Sequence, residues 1–210
     1  MRYSLDTVIL DHAFTSLEGW IERWDNDKTL FPREDVVLLQ LVLELHKNNY
    51  FLWHYEDIAR REDVDAEAIA DVKRNIDKAN QQRNDTIEKI DEWLFDNHYH
   101  RLPEQLPLRT ETPGSVFDRL SILALKVSHM GEQTKRSDVG QEHITACRQK
   151  LDILLQQKRD LQQSLMEMFD DLNEGKIRMK VYRQFKMYND PDLNPEVYEH
   201  RERDPSKKCR

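Results

Sequence analysis

At 210 residues, with 38% hydrophobic and 34% charged residues, five glycines and seven prolines, the chain has the makeup of a helix-rich globular protein long enough for one good core. Its formal charge of −8 argues against a general nucleic-acid binder, and no run of about 18 uncharged apolar residues offers a membrane span. Two cysteines, Cys147 and Cys209, cannot build a disulfide framework, and acids interrupt the apolar run near the N-terminus where a secretory signal would be unbroken, so the expected compartment is a reducing cytoplasm.

The apolar spacing predicts five helices and no strand. The first covers roughly residues 4–24, with Val8, His12, Leu17, Trp20 and Trp24 loosely on one side. "DNDKTLFP" breaks it. The second covers roughly residues 34–61 and carries a stripe of Leu38, Leu41, Leu45, Leu52 and Ala59. "REDVDAEA" follows, with Asp65 placed to cap a third helix near residues 66–95. Its stripe is Ile69, Val72, Ile76, Ile87, Ile90 and Leu94.

The loop "DNHYHRLPEQLPLR" leads to "TETPGSVFDRLSILALKVSHM". Thr112 caps, Pro113 takes the first helical position, and a fourth helix runs to about Gly131. It is apolar almost all round and still carries Asp118, Arg119, Ser121 and Lys126. The fifth helix, residues 141–173, has heptad lines Ile144, Leu151, Leu165, Leu172 and Cys147, Leu154, Leu161, Met168, the first interrupted by Lys158. Packing within the chain is the favoured use of that seam; a homodimer through residues 141–173 is the alternative.

From Lys176 onward ten Lys/Arg face six Asp/Glu, so a basic tail follows an acidic body. Tyr182, Phe185, Met187, Tyr188, Leu193 and Tyr198 are too apolar for a free tail. The expected layout is an all-α bundle in one domain over residues 1–198, with residues 199–210 left disordered.

Three helices place polar residues where apolar ones are due. Asn48 and Glu56 interrupt the second stripe, with Trp53, Asp57 and Arg60 beside them. Asn80 and Arg83 interrupt the third, flanked by Asp77, Asn84 and Asp91. A buried charge must be paired, so these groups imply a shared polar network with the fourth helix. One or two pairs would merely lock helix register; three helices breaking pattern together suggest a ligand site.

The free amides of Gly114 and Ser115, the Thr112 and Ser115 hydroxyls and the helix dipole suit an anion such as phosphate, with Arg83, Arg119 and Lys126 adding charge. The candidate ligand contacts are Trp53, Asn80, Arg83, Asn84, Thr112, Gly114, Ser115, Arg119 and Lys126. The acids Glu56, Asp57, Asp77, Asp91, Glu111 and Asp118 allow a different use, gathering Mg²⁺ for phosphate hydrolysis. That use requires at least three of them within about 5 Å of one point.

"LWHYEDIARRED", "IDKANQQRNDTIEKIDEWL", "ETPGSVFDRLSILALKVSHM" and "RQFKMYNDPDLNP" together resemble a bacterial family of all-helical domains of unknown function. The resemblance covers about residues 40–195. Some members of that family are encoded beside or fused to glycosyltransferases of the heptosyltransferase type. The resemblance implies a role near surface-polysaccharide assembly and no assigned reaction. Its motifs include Trp53, Glu56, Asp57, Arg60, Asn80, Arg83, Asp118 and Lys126, and in the tail Lys186, Tyr188, Asn189, Asp190 and Pro191.

These readings leave three expectations. The first is a binding module for a phosphorylated small molecule, a sugar phosphate or nucleotide sugar. The second is a Mg²⁺-dependent pyrophosphohydrolase. The third is an adaptor for a glycosyltransferase that binds no ligand.

Overall fold

The computed structural model describes residues 7–185 and 192–196. Five helices follow one another: α1 (Thr7–Asn26), α2 (Val37–Ala59), α3 (Ala66–Leu94), α4 (Pro113–Gln133) and α5 (Gln141–Asn173). No strand occurs among the described residues. The all-α expectation holds, and the α5 bounds match the sequence reading residue for residue.

Two helical hairpins, α2–α3 and α4–α5, form the body, and α1 packs across α2, α4 and α5. Helix α2 touches α1, α3 and α4, which explains why one stripe cannot describe it. It buries Leu38, Leu39, Val42, Leu43, Leu45, His46, Asn49, Tyr50 and Leu52, about half its circumference. Leu41 is only half-buried, and so is Asn48. The buried arc is centred one residue away from the expected stripe, so the polar groups inside are His46 and Asn49 rather than Asn48 and Glu56. Helix α1 also differs from its expected face. It buries Leu10, Ala13, Phe14, Leu17, Ile21 and Trp24, while Val8 and His12 are exposed.

Helix α3 keeps Ile76, Ile87, Ile90 and Leu94 in the core. Its Asp65 cap accepts from the Ala68 amide at 2.8 Å. The helix passes directly into a π-helical turn, Phe95–Tyr99, where a loop was expected. That turn puts Tyr99 into the core, with its hydroxyl donating to Asn173 Oδ1 at 2.9 Å.

Helix α5 buries Ile144, Cys147, Leu161, Leu165, Phe169 and Leu172. Lys158, the residue that interrupts its heptad, is buried as well and pairs with Glu18 of α1. A paired cation at this position holds α5 against α1.

Gly175, at φ 68°, ends α5 in a Schellman turn: its amide donates to Leu172 O at 3.1 Å and the Lys176 amide donates to Asp171 O at 2.8 Å. The chain then folds back. Arg178 N donates to Pro107 O and Arg109 N to Arg178 O, both at 3.0 Å, while Ile177 and Met179 enter the core. Arg183 pairs with Glu88 and Glu92 of α3. The basic segment therefore lies on the acidic body as far as Gln184, whose amide donates to Glu88. Tyr182 and Phe185 nevertheless face outward, Phe185 at 83% exposure, against the expectation that they are covered. Met187, Tyr188 and Tyr198, like Lys186, Asn189, Asp190, Pro191 and residues 199–210, lie outside the described residues.

Candidate functional site

A directed chain of hydrogen bonds crosses the bundle. It starts at the carbonyl of Leu17 in α1, which lies 2.7 Å from His46 Nε2. A carbonyl only accepts, so Nε2 carries the proton and Nδ1 is left as an acceptor. Ser121 Oγ, at 2.8 Å, donates to Nδ1. Asn49 Nδ2 donates to Ser121 Oγ and to Asp118 Oδ1, both at 2.9 Å. Arg83 then closes on Asp118 with two bonds, one from Nε at 2.7 Å and one from Nη2. Each of the helices α1 to α4 contributes one or more links. The Asp118 side chain is 7% exposed and that of Arg83 27%. Burial pushes His46 down to about 4, so the ring is neutral at physiological pH.

Arg83 is the outer end of this chain and forms part of a cavity of about 470 Å³ between α2, α3 and α4. Asp118 uses two of the guanidinium's five N–H groups, which leaves three for another partner. Asn80 of α3, Trp53, Glu56, Asp57 and Arg60 of α2, and Ile122 and Leu125 of α4 line the same space. Glu56 and Arg60 pair at 3.0 Å on its exposed rim. The lining holds two guanidiniums and two carboxylates, with the Asp118 charge behind Arg83. It is zwitterionic rather than basic. Recognition of an anion here would rest on aimed N–H groups, not on a positive field.

The sequence reading named several of these residues, and the structure brings Trp53, Asn80, Arg83, Glu56, Asp57 and Asp118 to one place. It separates others. Arg119 is exposed and pairs with Glu111 on the outside of α4. Lys126 lies one turn further along α4 in a neighbouring cavity. Asn84 is half-buried on α3 and stands apart from the residues that line the cavity.

The start of α4 is also used differently from expectation. Thr112 and Ser115 form a reciprocal cap, Ser115 N donating to Thr112 Oγ1 at 3.3 Å and Thr112 N to Ser115 Oγ at 3.0 Å. Gly114 N donates to Asp91 Oδ1 at 2.7 Å. The anion at this helix terminus is thus the protein's own carboxylate, and Thr112 and Gly114 are buried beneath it. Burial raises Asp91 to about 6, against the stabilising pull of the Thr112 hydroxyl and the Gly114 amide.

The acids proposed for Mg²⁺ do not converge. Asp77 pairs with Lys73 at 3.0 Å, Glu111 with Arg119, Glu56 with Arg60, Asp118 with Arg83, and Asp91 with the α4 terminus. Among the described residues no three His, Cys, Asp or Glu side chains form a metal-sized cluster. This donor set does not fit Mg²⁺, and the pyrophosphohydrolase reading loses the geometry it requires.

His46 and Asn49 were missed by the periodicity argument. Helix α2 is near-continuously apolar from Val37 to Leu45, which marks a helix covered on several sides, so no single stripe extends reliably to His46 and Asn49 just beyond it.

His46 and Asp91 give opposite pH slopes. The folded value for His46 lies below its unfolded 6.5, so the unfolded chain alone takes up that proton between pH 6.5 and 4, and stability falls by about 3 kcal/mol as pH drops through that window. The folded value for Asp91 lies above its unfolded 3.8, so the folded chain holds that proton between pH 3.8 and 6, and stability rises by about 3 kcal/mol as pH drops through that range. The two nearly cancel in the wild type. Asp91→Asn removes one of them. Urea denaturation of Asp91→Asn is expected to show stability falling from pH 6.5 to 4 more steeply than in the wild type, by roughly that amount.

The fold and this cavity define an all-helical bundle with a zwitterionic pocket between three helices. The chain belongs to the DUF4254 family of proteins of unknown function, whose sequence profile matches residues 39–181, more than half of it. The match covers every residue lining the cavity and excludes α1; the tail motif that begins at Arg183 lies past its end. No curated protein and no solved structure matches the chain. No described helix is long and apolar enough to cross a membrane.

Proposed function

We propose that the protein is a cytoplasmic binding module for a sugar phosphate or nucleotide sugar, held in the cavity between α2, α3 and α4. The observation that carries this reading is Arg83, fixed by Asp118 at the cavity wall with three N–H groups to spare. A preorganised guanidinium suits a phosphate oxygen pair. Asn80, Asp57 and Glu56 suit sugar hydroxyls, and Trp53 offers an apolar face. The volume falls within the roughly 300–1,000 Å³ of small-molecule sites. The resemblance of the motifs to a bacterial glycosyltransferase-associated family supports a place in cell-surface polysaccharide assembly.

The test is a thermal-shift panel of hexose 1-phosphates, nucleotide sugars and nucleoside triphosphates, each with and without Mg²⁺. A ligand at 100 times its Kd adds about 2.7 kcal/mol of stability. At this chain length that is a rise in Tm of about 5–10 °C. The rise is expected without Mg²⁺ and is expected to vanish in Arg83→Gln. A panel with no shift contradicts the reading.

One observation favours a second reading. His46, Ser121, Asn49 and Asp118 are all satisfied by one another and by Arg83, so the network needs no ligand to complete it. A glycosyltransferase adaptor built on that lattice would still capture its enzyme after Arg83→Met with Asp118→Leu; a ligand-dependent module would not.

A further inference from the structure

A second cavity, about 440 Å³, lies between α2, α4 and α5, and its character is the reverse of the first. Its walls are apolar, formed by Trp53, Met130, Ile153 and Leu154 among others. Lys126 and Lys150 line it, and no carboxylate does, on a chain whose net charge is −8. The cavity is thus a local inversion of the protein's overall sign.

The two cavities follow one another along a single face of α4. Ile122 and Leu125 line the first; Lys126, His129, Met130 and Gln133 line the second. Steps of three and one repeat along these positions, which keeps them on one side of the helix over about 16 Å. Trp53 lines both cavities, so its indole is the partition between them. His129 stacks on that indole, ring centroids 4.7 Å apart and 9° from parallel. Its Nδ1 lies 3.3 Å from Glu132, and its Nε2 is buried with no hydrogen-bond partner among the described residues.

Ile153 adds an independent point. It is 58% exposed and lies off the line of Ile144, Cys147, Leu161 and Leu165 that packs α5 into the bundle. It contributes nothing to that packing and presents its side chain to the second cavity instead.

We infer that the α2–α4–α5 cavity takes the apolar chain of an anionic amphiphile, with Lys126 and Lys150 holding its charged group. That the same molecule's polar head enters the neighbouring cavity past Trp53 rests on the function proposed above. The natural ligand is then one molecule in three parts: a hydroxylated head, an anionic link and a hydrocarbon chain. The occupant is a single amphiphile rather than a membrane surface, because Trp53, Met130 and Leu154 converge with Lys126 and Lys150 on one space, and only Ile153 stands largely exposed beside it.

The experiment titrates monomeric octyl, decyl and dodecyl phosphate, below their micelle concentrations, into the full-length protein by calorimetry. Affinity is expected to rise by up to roughly fourfold per added methylene as the chain fills the cavity. Ile153→Glu is expected to abolish this length dependence, and Lys126→Gln with Lys150→Gln to weaken all three probes at least fivefold. These side chains are at the surface or rim, and circular dichroism of each variant checks that the fold is kept. Asn80→Ala, which strands no charge, is expected to leave alkyl phosphate binding unchanged while it weakens sugar phosphate binding, so the two cavities fail or succeed separately. Binding that ignores chain length overturns the inference. So does binding only to vesicles of anionic phospholipid, which makes the face a membrane dock. Sedimentation as a dimer that Ile153→Glu converts to a monomer also overturns it, because a second α5 then covers the cavity.

Discussion

Asp118→Ala is expected to destabilise the protein by about 3 kcal/mol, the lower end of the cost of stranding one partner of a buried ion pair, because Arg83 keeps partial access to water. Among the described residues the carboxylate joins α3 to the network of His46, Asn49 and Ser121, receiving Arg83 from one side and Asn49 from the other. Without it, a guanidinium is left half-buried and Asn49 loses one of the two partners of its amide. The double variant Arg83→Met with Asp118→Leu is expected to recover most of this loss, since no charge is then stranded and only the Asn49 bond is missing. Urea titration of the wild type, the single variant and the double variant measures both steps. Equal loss in the single and the double variant would show that the pair contributes net attraction rather than merely avoiding an unpaired charge.

Gly114→Ala is expected to cost about 3 kcal/mol and lower Tm by about 6–12 °C. A Cβ at this position would lie 2.6 Å from the backbone oxygen of Ile87 and 2.8 Å from Asp91 Oδ1. The first contact is with backbone, so α3 and α4 must move apart. That movement stretches the bond from the Gly114 amide to Asp91, the one that satisfies a buried carboxylate. The gain in helix propensity from glycine to alanine, roughly 1 kcal/mol, is smaller than these losses and is already counted against them. Gly131→Ala is the control. It lies in the same helix with nothing within 4 Å of the added carbon, and is expected to raise stability slightly. Thermal unfolding of the two variants side by side decides whether Gly114 marks a close approach or only a weak helix start.

How far the sequence foretold this site depended on how many neighbours each helix has. Helix α3 presents one buried face, and its stripe of isoleucines placed Arg83 and Asn80 correctly as inward-facing breaks. Asp118 was legible for the same reason, as a charge on an otherwise apolar helix, and it pairs with Arg83 as the burial cost demands. Helix α2 packs on three partners, and a single line of leucines put its polar interior one residue off, at Asn48 instead of Asn49. Arg119 shares its helix with Asp118 and sits one residue on, about 100° around the axis, which carries it to the surface and to Glu111. Local periodicity cannot resolve that difference when apolar residues surround the helix. The capping signal of "TPGS" was sound, yet the anion it attracts is Asp91, a contact between residues 23 apart that no local pattern encodes. Lys158 looked like a flaw in the α5 heptad and proved to be half of a pair with Glu18, whose position depends on the packing of α1.

The central claim is that the trough along α4, divided by Trp53, is a ligand site. The most direct test is a ¹H–¹⁵N spectrum of the four tryptophan indoles during titration, with Trp53→Phe identifying the resonance of Trp53. Trp53 lines both cavities, while Trp24 is fully buried against α2 and Trp93 packs near the π-helical turn. The predicted result is a saturable shift of the Trp53 indole with hexose 1-phosphate or dodecyl phosphate, with Trp20, Trp24 and Trp93 unmoved. A Trp53 resonance that stays fixed at millimolar concentrations of both probes would contradict the account.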